Sequence, residues 1–192
     1  MSRGLGDVYK RQVNVNGDDV INDFDRTVIG NPQPDFIFGF NNQFGYKNFD
    51  LSIFFQGSYG NDIWNGVRVS HEGMESTYNQ FTSTLNRWNG EGSSNTMPRA
   101  IYADPNRNNR ASTRWVEDGS YLRLKNLTFG YRFTQDWLKK IGAKSLRLYL
   151  SFDNLWTLTN YSGLDPEVGL WGLDYGIYPT SRVYMFGASV KF

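Results

Sequence analysis

Apolar and polar residues alternate along five stretches of this chain, and the alternation predicts five two-faced β-strands. In Asp35–Tyr46, Phe36, Phe38, Phe40, Phe44 and Tyr46 share one face, with Asn42 the exception. Ile37, Gly39, Asn41, Gln43 and Gly45 take the other. A tight turn at Tyr46-Lys47-Asn48 leads into Phe49–Tyr59, where Phe49, Leu51, Ile53, Phe55, Gly57 and Tyr59 oppose Asp50, Ser52, Phe54, Gln56 and Ser58. The third strand, Ser120–Phe133, sets Leu127, Phe129, Tyr131 and Phe133 against Asn126, Thr128, Gly130 and Arg132. The fourth, Leu146–Trp156, sets Leu146, Leu148, Leu150, Phe152 and Trp156 against Arg147, Tyr149, Ser151 and Asp153. The fifth is Arg182–Phe192, with Tyr184, Phe186, Ala188, Val190 and Phe192 together and Val183, Met185, Gly187, Ser189 and Lys191 opposite.

The strands are about as long as the 9–11 residues that a tilted strand needs to cross a bilayer. Their connections run short (46–48), long (60–119), medium (134–145) and long (161–180). Outer-membrane barrels alternate in this way, with short periplasmic turns and long outer loops. With the C-terminus in the periplasm, the long connections face outside. Arg147, Asp153 and Lys191 all avoid the apolar face, where a mid-bilayer Arg costs about 2–4 kcal/mol. The expected fold is therefore all-β: an antiparallel, partial transmembrane β-barrel with long extracellular loops. Leu122 and Leu124 have the wrong parity for this face. Either a bulge near Lys125-Asn126 restores them, or the strand runs above the membrane there. The alternative is a soluble, aromatic-rich, carbohydrate-binding β-sandwich, in which two apolar faces pack on each other instead of forming one outward band.

Within the long connection, Tyr78, Phe81, Leu85 and Trp88 recur at three or four residues and predict a short helix over Glu75–Trp88. A helical turn is expected around Asp136–Ile141, ended by Gly142. Asn14, Asn16, Asp18, Ile21 and Asp25 fall at ligand positions of a calcium loop. Asp19 replaces its turn glycine and Asp25 its bidentate Glu, so an acidic surface turn is the better reading.

Composition removes several functions. Lys plus Arg is 20 and Asp plus Glu is 19, which gives a net charge of +1 and argues against a nucleic-acid partner. With no Cys and a single His, His71, thiolate chemistry and a His-based triad or metal cluster are excluded within the chain. No compact acid pair sits on a rigid element, so no catalytic residue, metal or cofactor is expected. The aromatic content of 17% accompanies a mean hydropathy of -0.55, the combination expected when apolar residues occupy only one face. No apolar core follows the basic residues of Met1–Gln12. MSRGLGDVYKRQ resembles translated sequencing adapter, so 1–12 is expected to be a non-native tail on a truncated C-terminal piece, 13–192.

Several stretches resemble the C-terminal end of SusC/RagA-family, TonB-dependent outer-membrane transporters. They are Gly30-Asn31-Pro32-Gln33-Pro34 with Phe38-Gly39-Phe40, and Tyr46-Lys47-Asn48-Phe49-Asp50-Leu51. They continue with Tyr121-Leu122-Arg123-Leu124-Lys125-Asn126-Leu127-Thr128-Phe129-Gly130-Tyr131, then Asp153-Asn154-Leu155-Trp156 with Thr159-Asn160-Tyr161, Gly163 and Asp165-Pro166-Glu167. Tyr178-Pro179 and Phe192 complete the set. The resemblance implies the last five strands of a 22-stranded barrel in the outer membrane of a Gram-negative bacterium. It also implies a SusD-like surface lipoprotein as partner, the TonB complex acting through missing upstream segments, and oligosaccharide or peptide cargo. On this reading Asp50, Gln56, Asn126, Arg147 and Asp153 line the lumen, and the opposite face meets outer-membrane lipid. Trp64, Trp88, Trp115, Trp171 and Tyr175, in the outer loops, are candidates to stack on cargo. The competing reading of each is loop packing or an interfacial aromatic girdle.

Overall fold

A computed structural model describes residues 14–19, 23–105 and 107–192. The tail expected at 1–12, and Ile21 of the acidic turn, lie outside the described residues. In chain order the strands and helix are β1 (Phe36–Tyr46), β2 (Phe49–Tyr59), β3 (Asp62–Asn65), α1 (Gly66–Glu72), β4 (Val116–Asp118), β5 (Tyr121–Phe133), β6 (Ser145–Thr159), β7 (Leu173–Asp174) and β8 (Val183–Lys191).

Five strands form one antiparallel sheet in the order β1-β2-β5-β6-β8. These are the five that the alternation predicts, and each neighbour in the sheet is also the next long strand in sequence. The sheet is not closed: β1 and β8 are its two edges. Its register keeps the faces in phase. Phe40 pairs with Phe55 and Phe44 with Leu51; Leu51 pairs with Phe129, Phe129 with Leu150 and Leu150 with Phe186. A one-residue slip in any pair would turn a whole strand over.

The parity break in β5 resolves as a bulge. Ile53 pairs with Leu127, but Phe55 pairs with Leu124, and Lys125 is passed over. On the other side Leu124 meets Trp156 while Asn126 meets Asp153, leaving Asn154 and Leu155 outside the ladder. Leu122 and Leu124 thereby rejoin the apolar face. Asn154 absorbs the irregularity in the left-handed region, at φ 53, a conformation that Asn tolerates better than most residues. Its Nδ2 donates to the Ser181 carbonyl at 2.9 Å.

Among the described residues, nothing covers the apolar face. Phe40 is 59% exposed and Phe186 70%, and neighbouring rings stack along the surface, Phe49 on Phe129 at 5.7 Å between centroids. No second sheet packs on this side: the only other sheet among the described residues is the small β4-β3-β7 unit. The described residues therefore form no second inner face of a sandwich. The best-buried apolar side chains lie in the connections instead: Ile63, Met74, Met97, Trp115 and Tyr161 among the long loops, Leu138 and Ala143 in the β5–β6 turn.

The loops depart furthest from the sequence expectation. The predicted helix over Glu75–Trp88 does not form. Only a 3-10 segment, Thr82–Asn86, appears there, and Tyr78 and Leu85 stay exposed. Hydroxyl side chains compete for the local backbone, as where Thr84 Oγ1 donates to the Phe81 carbonyl at 2.7 Å. The helix that does form, α1, lies upstream. Its N-cap is Asn65, whose Oδ1 accepts the Arg68 N–H at 3.0 Å. The turn expected around Asp136–Ile141 forms as a 3-10 helix over those residues and ends at Gly142 with φ 75.

Candidate functional site

The polar face of the sheet carries three hydrogen-bonded groups along its length. Nearest the β1–β2 turn, Arg147 Nε donates to Asp50 Oδ1 at 2.9 Å, and its Nη2 donates to Oδ2. The pair crosses an intervening strand, and Gly130 makes this possible. A Cβ at Gly130 would lie 2.6 Å from the Asp50 carboxylate oxygens and 2.7 Å from Arg147 Nη2.

At mid-sheet, Asn126 Nδ2 donates to Asp153 Oδ1 at 2.7 Å and to Ser151 Oγ at 3.2 Å, while Thr128 Oγ1 donates to Asn126 Oδ1 at 3.1 Å. At the far end Gln56 pairs with Arg123 across the strands, and Arg123 reaches into the 161–180 loop. All five predicted lumen residues thus share one face, opposite the aromatic one. Arg123 belongs with them and was not anticipated, because its face depends on the bulge.

Above that end, three connections knit into one cap. β3 pairs antiparallel with β4 and parallel with β7, so the 60–119 and 161–180 loops share a sheet. Asp62 N donates to the Asn31 carbonyl at 2.8 Å, which brings in the Gly30–Pro34 loop. A charge cluster holds the unit together. Arg68 donates to Glu117 Oε1 at 2.7 Å and to Glu72 Oε2 at 3.0 Å. Burial alone would raise the Glu117 carboxyl pKa, but Arg68 and the Ser162 N–H and hydroxyl outweigh it and hold it below the usual range. Burial, and then the hydrogen bond to Asp174, push the Tyr161 phenol upward, so it remains a donor; it donates to Asp174 Oδ2 at 2.7 Å.

The five candidate rings divide. Trp115 is fully buried at 0% exposure, with the Arg114 and Arg68 guanidinium carbons 4.2 and 5.8 Å from its ring centroid. It is a packing residue of the cap. Trp64 and Trp88 are half-buried. Trp171 and Tyr175 are 81% and 73% exposed. Leu170 and Tyr178, 81% and 86% exposed, are further apolar residues on the same loop; isolated apolar residues in a Gly-rich loop carry no periodic signal.

In the acidic turn, Asp25 Oδ1 accepts the Val15 N–H at 2.8 Å and Asn14 Oδ1 accepts the Gly17 N–H at 2.6 Å, so these oxygens are engaged by the local backbone. No group of three or more potential metal ligands occurs among the described residues. Taken together, the arrangement is a polar, charge-bearing sheet face beneath a hydrogen-bonded cap that carries exposed rings.

Relatives of known kind share this chain's sequence. TonB-dependent receptor P3 of Formosa agariphila is 40% identical over 189 residues, covering 93% of this chain and 18% of its own length. TonB-dependent receptor SusC of Bacteroides thetaiotaomicron is 29% identical over 185 residues, covering 94% of this chain and 17% of its own length. Among solved structures, the RagAB peptide importer in its closed-closed state superposes with a TM-score of 0.74 at 27% identity, over 86% of this chain and 18% of that one. The chain is homologous to the SusC/RagA-type TonB-dependent receptors. It fits a C-terminal fragment of such a transporter and spans under a fifth of the length of the relatives it matches. No family model matches the chain.

Proposed function

We propose that the chain is the C-terminal part of a barrel of about 22 strands that performs TonB-dependent import across the outer membrane of a Gram-negative bacterium. The observation that carries this reading is the single sheet whose aromatic face is charge-free, in phase over five strands and uncovered. A soluble protein seldom exposes such an area, whereas lipid requires it. The polar face, with Asp50, Gln56, Asn126, Arg147 and Asp153, then lines the lumen, and the cap lies outside the cell. The C-terminus is periplasmic.

The named activities of the relatives, a SusC receptor and a RagAB peptide importer, support import rather than catalysis. They also support a SusD- or RagB-like surface lipoprotein as partner and TonB as the energy source. Cargo is an oligosaccharide or a peptide, and Trp171 and Tyr175 are the rings best placed to meet it.

Orientation is the testable core of this reading. Gly92 lies in the long outer connection with open space around its Cβ position, and Lys47-Asn48 is the β1–β2 turn. An epitope inserted at Gly92 of the full-length receptor is expected to bind antibody on intact cells, and one inserted at Lys47-Asn48 only after permeabilisation. The reverse pattern would overturn the assigned topology.

A further inference from the structure

Two of the resemblance-bearing stretches, Tyr121–Tyr131 and Asp165-Pro166-Glu167, lie far apart in sequence, and the import reading gives no task to Arg123 of the first or to the second. They meet at Arg123. Arg123 is 3% exposed and Asp165 7%, which makes this one of the least accessible charge pairs in the described chain. Arg123 Nη2 donates to Asp165 Oδ1, Nη1 donates to Glu167 Oε2 at 2.7 Å, and Nε donates to Thr157 Oγ1 on the neighbouring strand at 3.0 Å. Lys125 Nζ adds a second cation on Glu167 Oε2 at 3.3 Å.

Asp165 in turn closes the neck of the 161–180 loop. Its Oδ1 accepts the Glu167 N–H at 2.9 Å, and its Oδ2 accepts the Thr180 N–H, also at 2.9 Å, from the far side of the loop. One carboxylate therefore ties the start of the loop to its end, and one guanidinium ties that carboxylate to the barrel wall. Although burial raises its pKa, the two backbone donors and Arg123 hold the Asp165 carboxyl below the usual range, so it stays ionised at neutral pH. The far part of the loop is fastened separately. Trp64 N donates to the Gly172 carbonyl at 2.7 Å, and Gln33 Nε2 donates to the Leu170 carbonyl at 3.3 Å.

We propose that Arg123 is a positioning residue: by pinning the Asp165 neck it makes the 161–180 loop, with Trp171 and Tyr175, a fixed part of the mouth rather than a lid. The fork geometry of Arg suits the task, since it serves Asp165, Glu167 and Thr157 from three nitrogens, and a Lys point charge reproduces only part of that. The significance for cargo rests on the import reading, but the pinning itself does not.

The test is amide hydrogen exchange at the loop neck, 167–168 and 178–180, where Asp165 holds the Glu167 and Thr180 N–H groups, in the full-length receptor in detergent micelles, with the heat-modifiable gel shift as a separate measure of barrel folding. Arg123→Met is expected to speed exchange in this loop at least tenfold with the gel shift retained, and Arg123→Lys is expected to restore part of the protection. Asp165→Asn and Arg123→Met together are expected to add to less than the sum of the two alone, because they share the Arg123–Asp165 contact, while Asp165 separately holds the Glu167 and Thr180 N–H groups. If Arg123→Met fails to fold, Asp165→Asn alone, outside the barrel strands, must produce the same acceleration. Exchange within twofold of native in a folded Arg123→Met receptor, or in Asp165→Asn when the former does not fold, overturns the proposal. The epitope experiment reports on topology alone, so failure of either reading is recognisable separately.

Discussion

Ile53→Arg is expected to cost the receptor barrel about 2–4 kcal/mol, the depth-dependent penalty of a cation on the lipid face near the bilayer centre. Ser52→Arg, one residue away, is expected to stay within about 0.5 kcal/mol, as surface substitutions do. The contrast follows from position alone. Ile53 pairs with Asn42 on one side and Leu127 on the other, in the middle of the apolar face. Ser52 lies between Gln43 and Thr128 on the polar face. A soluble sheet with a solvated aromatic face would accept Arg at 53 as readily as at 52. Urea midpoints of the folded, heat-modifiable band in the two variants decide the matter, and equal midpoints would remove the lipid assignment of this face.

Trp115→Ala is expected to cost about 3–5 kcal/mol, the range for truncating a large buried aromatic, but the loss should fall on the cap and not on the barrel. Trp115 has 0% exposure, lies with the Arg114 and Arg68 guanidinium groups near its ring, and directly precedes β4 of the β3–β4 pairing. Its removal opens a cavity at the centre of the unit that joins the two long loops. Limited proteolysis of the full-length variant should cut within 60–119 at a protease concentration that spares the native receptor, with the gel shift unchanged. Simultaneous loss of the gel shift would mean that cap and barrel fold as one cooperative unit.

The contrast between sheet and cap also explains what the sequence discloses. The long strands are legible because one face of the sheet is apolar and the other polar, so alternate residues differ in kind. β2 occupies the predicted 49–59 span, and the parity break at Leu122 and Leu124 already located the bulge to within a residue, although the alternative of a strand running above the membrane stayed open. The cap is not legible in the same way. β3, β4 and β7 have four, three and two residues, too few to show a period, and their pairings join Trp64 to Leu173 and Asp62 to Asp118. The spacing of Tyr78, Phe81, Leu85 and Trp88 gives no helix because hydroxyl-bearing residues between them bond the local backbone, as Thr84 does with the Phe81 carbonyl. Of the site residues, the polar-face set was readable from parity. The separation of the rings into buried Trp115 and exposed Trp171 was not, since burial in the cap is decided by contacts distant in sequence.

In the proposed barrel one face of this sheet meets lipid and the other meets water. Nitroxide scanning along β2 of the full-length receptor in bilayers tests it most directly, one label at a time from Leu51 to Gln56. The labels at Leu51, Ile53 and Phe55 are predicted to be relaxed mainly by oxygen, which concentrates in lipid. Those at Ser52, Phe54 and Gln56 are predicted to be relaxed mainly by a water-soluble nickel chelate, giving a two-residue period. Uniform nickel accessibility along the strand, or the same period with the phases exchanged, would contradict the account.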